Sequence, residues 1–221
     1  ANLPTIAGHL LAHLLQAVPA IIASFVLAIP IARLARVARP LRAVLVTGSS
    51  LLYAVPSLAL FVILPIVLAT GIRDPLNVIV ALTLYGLALL VPATADALDA
   101  VDARVLDAAT AMGMGRLRCF LTVELPLAGP AILTGLRVVT VSTISLTTVG
   151  AVLGVRSLGW LFTDGFQRGI TAEIVTGLAA TAALALVLDG LVLALGRLCL
   201  PWTWKRAGDA GAVAAGACAA A

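Results

Sequence analysis

Asp107-Ala108-Ala109-Thr110-Ala111-Met112-Gly113, then nine residues, then Val123-Glu124-Leu125-Pro126: this is the charged loop between the third and fourth apolar segments of a very hydrophobic chain. Helical spacing puts Ala108, Ala109 and Met112 on one side. Asp107 is expected near the start of the turn, where the helix dipole favours an anion. Small side chains let another backbone come close, and Gly113 permits a sharp change of direction. Leu125-Pro126 is expected to stop a second short helix just before the chain becomes apolar again, because the residue before a proline disfavours helix. A shaped loop of this kind is a surface offered to a soluble partner.

The rest of the chain belongs to a membrane. Of 221 residues, 62% are apolar and 11% charged, where soluble domains hold about half and a quarter. Mean hydropathy is +1.16. A spanning helix needs about 20 mainly apolar residues, and five stretches qualify, over 10–36, 43–70, 75–96, 126–153 and 174–200. Residues 1–206 read as one all-α membrane domain, with the loop over 102–125. The Ala/Gly-rich stretch 207–221 is expected to be a disordered or weakly helical tail.

Eleven of the fourteen basic residues fall on one side of these spans: Arg33, Arg36, Arg39, Arg42, Arg104, Arg116, Arg118, Arg137, Arg197, Lys205 and Arg206. Arg73, Arg156 and Arg168 fall on the other. The positive-inside rule makes the first side cytoplasmic, with the N-terminus outside and the C-terminus inside. A secretory signal carries its arginines first, whereas here they follow the first apolar segment. The net charge of +4 needs no nucleic acid to explain it. Cys119, Cys199 and Cys218 lack metal-ligand or CxxC spacing. No phosphate-binding loop, nucleophile–base set or paired carboxylate site is evident, so any energy source comes from another chain.

The loop's spacing resembles the EAA loop of ABC importer permeases, in which Glu-Ala-Ala, three residues, Gly, nine residues and a hydrophobic-x-Leu-Pro ending recur. Asp107 stands where that family usually has Glu. The run Tyr53-Ala54-Val55-Pro56-Ser57-Leu58-Ala59-Leu60, the pair Leu84-Tyr85, Gly113-Met114-Gly115 and Gly135-Leu136-Arg137 are similar to the osmoprotectant (glycine betaine, carnitine, choline) permeases. Two departures stand out. Ala93-Thr94 replaces an Asn-Thr pair, and Gly154-Val155-Arg156-Ser157-Leu158-Gly159 keeps only the ends of a Gly-rich run.

This resemblance implies a type I ABC importer permease fold of about five transmembrane helices in a bacterial cell membrane. It implies docking of Asp107, Ala108, Ala109, Met112, Gly113, Leu125 and Pro126 on a cytoplasmic ATPase subunit. ATP and Mg would then bind to that subunit, and this chain would bind no cofactor or metal. The other implied partners are a second permease copy or paralogue, an external solute-binding protein and membrane lipid. Permeases for another small solute, such as an amino acid or phosphonate, fit the same loop. An ion-coupled secondary transporter would predict inverted repeats and several intramembrane ionisable groups, and neither is seen.

Within the spans, prolines at 19, 30, 56, 65 and 92 allow kinks or hinges. Tyr53, Pro56 and Ser57, with Ser142, Ser145 and Thr148, are candidates for lining a path; the serines and threonines equally suit bonds to their own backbone. Arg137 lies 11 residues after Pro126, and Asp189 lies 12 before Pro201. Helical rise puts both roughly 15–18 Å from their cytoplasmic ends. A salt bridge between the two spans is one reading. A snorkelling Arg137 with Asp189 facing an aqueous cavity is the other. His9 and His13 have helical ligand spacing but no third ligand, and packing explains them. Asp96, Asp99 and Asp102 read as a solvated face, with Asp102 capping the next helix.

Overall fold

The computed structural model describes residues 3–202. Lys205, Arg206, Cys218 and the 207–221 tail lie outside the described residues. Apolar runs too long for strands coil into helices, and every regular element among the described residues is helical: α1 (Leu3–Val37), α2 (Arg39–Ala54), α3 (Ser57–Leu68), α4 (Pro75–Asp99), α5 (Ala103–Ala111), α6 (Arg116–Cys119), α7 (Leu125–Thr147), α8 (Trp160–Gln167) and α9 (Thr171–Cys199). A π-helical turn, Phe120–Glu124, joins α6 to α7, and a 3₁₀ segment, Thr148–Leu153, follows α7. Four runs are long and apolar enough to cross a membrane: Pro4–Val37, Pro75–Asp99, Arg116–Leu153 and Thr171–Cys199.

The stretch expected as a single span over 43–70 is instead two helices, α2 and α3, bent by 107°. Val55 (φ −68°, ψ 129°) and Pro56 (φ −59°, ψ 127°) are both extended at the break. A proline pushes its predecessor out of the helical region and cannot donate to the ladder. Counted as one broken span, the pair brings the total to five. Pro19, Pro30, Pro65, Pro92 and Pro130 stay inside their helices. What distinguishes Pro56 is a substitute bond: the Tyr85 hydroxyl of α4 donates to the Val55 carbonyl at 2.6 Å.

α4 is the buried axis, packed against α1, α2, α3 and α7. Halfway along, Ala28, Leu90, Val91 and Val139 join α1, α4 and α7 in one core cluster. Gly86 lets α1 approach closely, since a Cβ there would lie 2.6 Å from the Ser24 side chain. α9 is peripheral, resting on α7 and α8, with Leu178, Leu186, Val187 and Leu198 exposed. An apolar surface of this extent suits lipid or another membrane chain rather than water.

Candidate functional site

The loop between α4 and α7 is built from α5, α6 and the π turn. Asp102 starts it: its carboxylate accepts from the Arg104 backbone N–H at 2.9 Å, capping α5. The Arg104 side chain also hydrogen-bonds that carboxylate, which, with the backbone bond, holds the Asp102 carboxyl below its ordinary range. Asp107 therefore does not occupy the first turn. The helix begins at Ala103, so Asp102 takes the dipole position and Asp107 projects from the middle of α5.

Asp107, Ala108 and Met112 are exposed, Met112 at 71%. Ala109 is the exception to the predicted ridge. It is only 2% exposed and packs inward, because α5 must bury one side to stay seated on the bundle. Gly113 follows with φ +82°, a left-handed conformation that turns the chain back and that a residue with a Cβ strains to adopt.

Leu125-Pro126 does not end a helix. Leu125 is helical (φ −62°, ψ −44°), and the chain runs as one helical rod from Arg116 to Leu153. The π turn makes this possible: the Leu125 N–H reaches back five residues to the Phe120 carbonyl. The widened turn precedes Pro126, whose ring would otherwise clash with the carbonyl four residues earlier. Leu125 and Pro126 are half-buried there.

Around this return lies a set of contacts that sequence reasoning did not find. Arg36, in the last turn of α1, pairs with Glu124 of the π turn and lies 3.5 Å from Asp99, the last residue of α4. Arg42 of α2 also pairs with Asp99. Arg33 sits over the Phe120 ring, 4.2 Å from its centroid, and Phe120 is buried beside Ala32, Leu98 and Ala128. Asp99 is thus an ion-pair partner rather than part of a merely solvated face. The signal available beforehand was an excess of arginines opposite two acids, which fixes neither register nor partner.

Deeper in the spans, Arg137 of α7 and Asp189 of α9 meet in a two-pronged pair: Nε donates to Oδ1 at 2.8 Å and Nη2 to Oδ2 at 2.7 Å. Gly196 seats α9 nearby, since a Cβ there would lie 2.2 Å from Leu133 of α7.

The candidate path residues fall in two places. Tyr53, Pro56 and Ser57 surround the break, where Tyr53 is 49% exposed and meets Tyr85 edge-to-face at 6.0 Å. Ser142 and Ser145 lie on α7, half-buried and exposed. Thr148 is in the 3₁₀ segment, and its hydroxyl donates to the Ser145 carbonyl at 2.6 Å. Thr140 and Thr147 also bond their own backbone.

Past α7, the two glycines retained from the Gly-rich run are the two that the backbone requires. Gly154 has φ +80°, and a Cβ on Gly159 would lie 2.1 Å from the Thr148 carbonyl oxygen. At this same end His9 stacks on Trp160 at 4.8 Å, and His13 is fully buried. No cluster of three potential metal ligands occurs among the described residues.

Residues 24–204 match the family described as "Binding-protein-dependent transport system inner membrane component". The chain is 30% identical over 197 residues to the "Choline transport system permease protein OpuBD" of Bacillus subtilis (strain 168), covering 89% of this chain and 86% of that one. It is 34% identical over 151 residues to the "Ergothioneine transport permease/ergothioneine binding protein EgtU" of Helicobacter pylori (strain G27); the match covers 68% of this chain but only 27% of that longer protein. The fold is similar to a chain of the MetNI methionine ABC transporter in an inward-facing conformation, with a TM-score of 0.76 and 19% identity, covering 90% of this chain and 99% of that one.

Proposed function

The chain belongs to the binding-protein-dependent transport system inner membrane components, the permease subunits of type I ABC importers, and we propose that it moves a small quaternary ammonium osmoprotectant of the choline, betaine or carnitine kind. The relatedness to a choline permease over nearly the full length of both chains supports that solute class. So does the Pro56-Ser57-Leu58-Ala59-Leu60 run at the broken span.

One observation carries the mechanism: a capped helix with Asp107, Ala108 and Met112 exposed, ending on left-handed Gly113, projects between two spans at the arginine-rich end. In this reading the ridge docks in a groove of a cytoplasmic ATPase, with Ala109 supporting it from behind and Leu125 and Pro126 framing its return. ATP and Mg bind to that ATPase. The arginine excess makes this end cytoplasmic, with the N-terminus outside and the C-terminus inside. A second permease copy or paralogue completes the channel, and an external binding protein delivers the solute. ATP binding shifts an inward-to-outward equilibrium only through contacts that differ between the two states. The helical rod from Arg116 to Leu153 carries loop displacement into the span. Tyr53, Pro56, Ser57, Ser142, Ser145 and Thr148 border the path, and the Arg137–Asp189 pair keeps α9 attached to α7.

The test is co-purification followed by uptake. The chain, reconstituted with the ATPase and binding protein that accompany it, is expected to accumulate labelled choline only with ATP. Gly113→Trp and Asp107→Arg should each leave the protein in membranes while separating ATP hydrolysis from uptake. Normal uptake by both variants overturns the assignment of the docking ridge. Uptake without any ATPase overturns the importer mechanism.

A further inference from the structure

We infer that Arg36 is a positioning residue that braces the return of the docking loop, so that displacement of the loop reaches α1 as well as α7. This rests on the importer reading and adds to it a specific mechanical linkage.

The chain Glu124–Arg36–Asp99–Arg42 alternates in charge and takes one member from each of four elements: the π turn, α1, α4 and α2. The positive-inside rule asks only for cationic charge at this end and is indifferent to which acid an arginine touches. Here the partners are particular. Arg36 and Glu124 are 28% and 14% exposed at the side chain, so most of the contact is sheltered while its rim stays within reach of water. The Arg33 guanidinium over Phe120 adds a second link between the same two elements, and the buried Phe120–Ala32 contact region underlies both.

The π turn is why a brace matters. Its hydrogen bonds span five residues instead of four, so the ladder there is looser than in α6 or α7. A push on the exposed ridge would bend the rod at Phe120–Glu124 before reaching Pro126. Glu124 is the last residue of that turn, and Arg36 holds it from the side. With the pair intact, the turn cannot bend without moving the end of α1, and through Asp99 the ends of α4 and α2.

The full complex of permease, ATPase and binding protein provides the test, in proteoliposomes with labelled choline. Wild type is compared with Arg36→Ala, Arg36→Lys, Glu124→Gln and the exchange Arg36→Glu with Glu124→Arg. The reading is choline moved per ATP hydrolysed, beside the amount of ATPase retained. Arg36→Ala and Glu124→Gln are expected to lower that ratio about tenfold, within the usual range of coupling energies. ATPase retention and basal hydrolysis should be unchanged. Arg36→Lys should be intermediate and the exchange should restore coupling.

An unchanged ratio in both Arg36→Ala and Glu124→Gln overturns the inference. An exchange variant that assembles yet stays uncoupled, or one that fails to assemble, also overturns it, since the pair would then be merely structural. Absence of ATP-driven uptake by the wild-type complex would instead count against the importer reading, and the wild type alone reveals that.

Discussion

At the basic end, Arg36, Arg42, Asp99 and Glu124 spread their charges over four elements, whereas deep in the spans Arg137 meets a single carboxylate, Asp189. Both sites join guanidinium to carboxylate, but their surroundings set different consequences. Near the membrane surface water and salt can replace a lost partner, so the network can shift without exposing a bare charge to lipid. In the interior a lost partner leaves a charge with little to solvate it. The first site suits a place that must move, and the second suits a joint that must hold.

The sharpest way to break this comparison is to remove one partner of the deep pair. Arg137→Leu leaves Asp189 alone, and an unpaired aspartate at a helix centre costs about 2.5–3.5 kcal/mol. The expected result is a steep fall in the yield and thermal stability of detergent-purified protein. Arg137→Leu combined with Asp189→Leu should recover most of it, because two apolar residues leave no charge unsatisfied. A double variant as unstable as the single would show that the pair has a role beyond mutual neutralisation.

A smaller effect is expected at the basic end. Asp99→Asn removes one acid from a network that water can reach, so the unfolding temperature should drop by about 2–4 °C. A loss comparable to that of Arg137→Leu would erase the distinction between the two sites.

Salt provides a third test. Raising ionic strength from about 0.1 M to 1 M shortens the screening length from about 10 Å to about 3 Å. Hydrogen exchange in the π turn should then quicken while exchange around Asp189 in α9 stays unchanged.

The smallest effect concerns the start of α5. Arg104 holds the Asp102 carboxyl below its ordinary range. Its contribution is therefore complete above the usual carboxylate pKa of about 3.9. It is lost only as pH falls through the lowered value. Amide protection at Arg104 should be flat between pH 6 and 8 and decline only in strong acid. A decline already near neutrality would mean that the carboxylate is not held this way.

Much of the architecture is legible from the chain alone because its causes are local. Long apolar runs require spanning helices, Asp102 is placed to cap the next helix, and Gly113 marks a turn. Arg137 and Asp189 are the only charges well inside apolar runs, and equal depth allows them to meet. Other features escape local reasoning. Prolines at 19, 30, 56, 65 and 92 look alike in sequence, yet only the one at 56 breaks a helix, and the Tyr85 hydroxyl that satisfies the broken end is thirty positions away. Ala109 looks as available as Ala108 until α5 is laid against the bundle. Leu125-Pro126 reads as a stop, but a π turn absorbs the proline and the helix continues.

Composition and the spacing of charges, glycine and proline were sufficient to indicate the medium, the apolar helices long enough to cross it and the charged loop between two of them, since each follows from transfer to lipid or from the local backbone. Tertiary packing alone decided which acid each arginine holds, which side of α5 stays open and where the second crossing bends. Those choices depend on atoms supplied by helices remote in the chain, and only the folded bundle brings them within bonding distance.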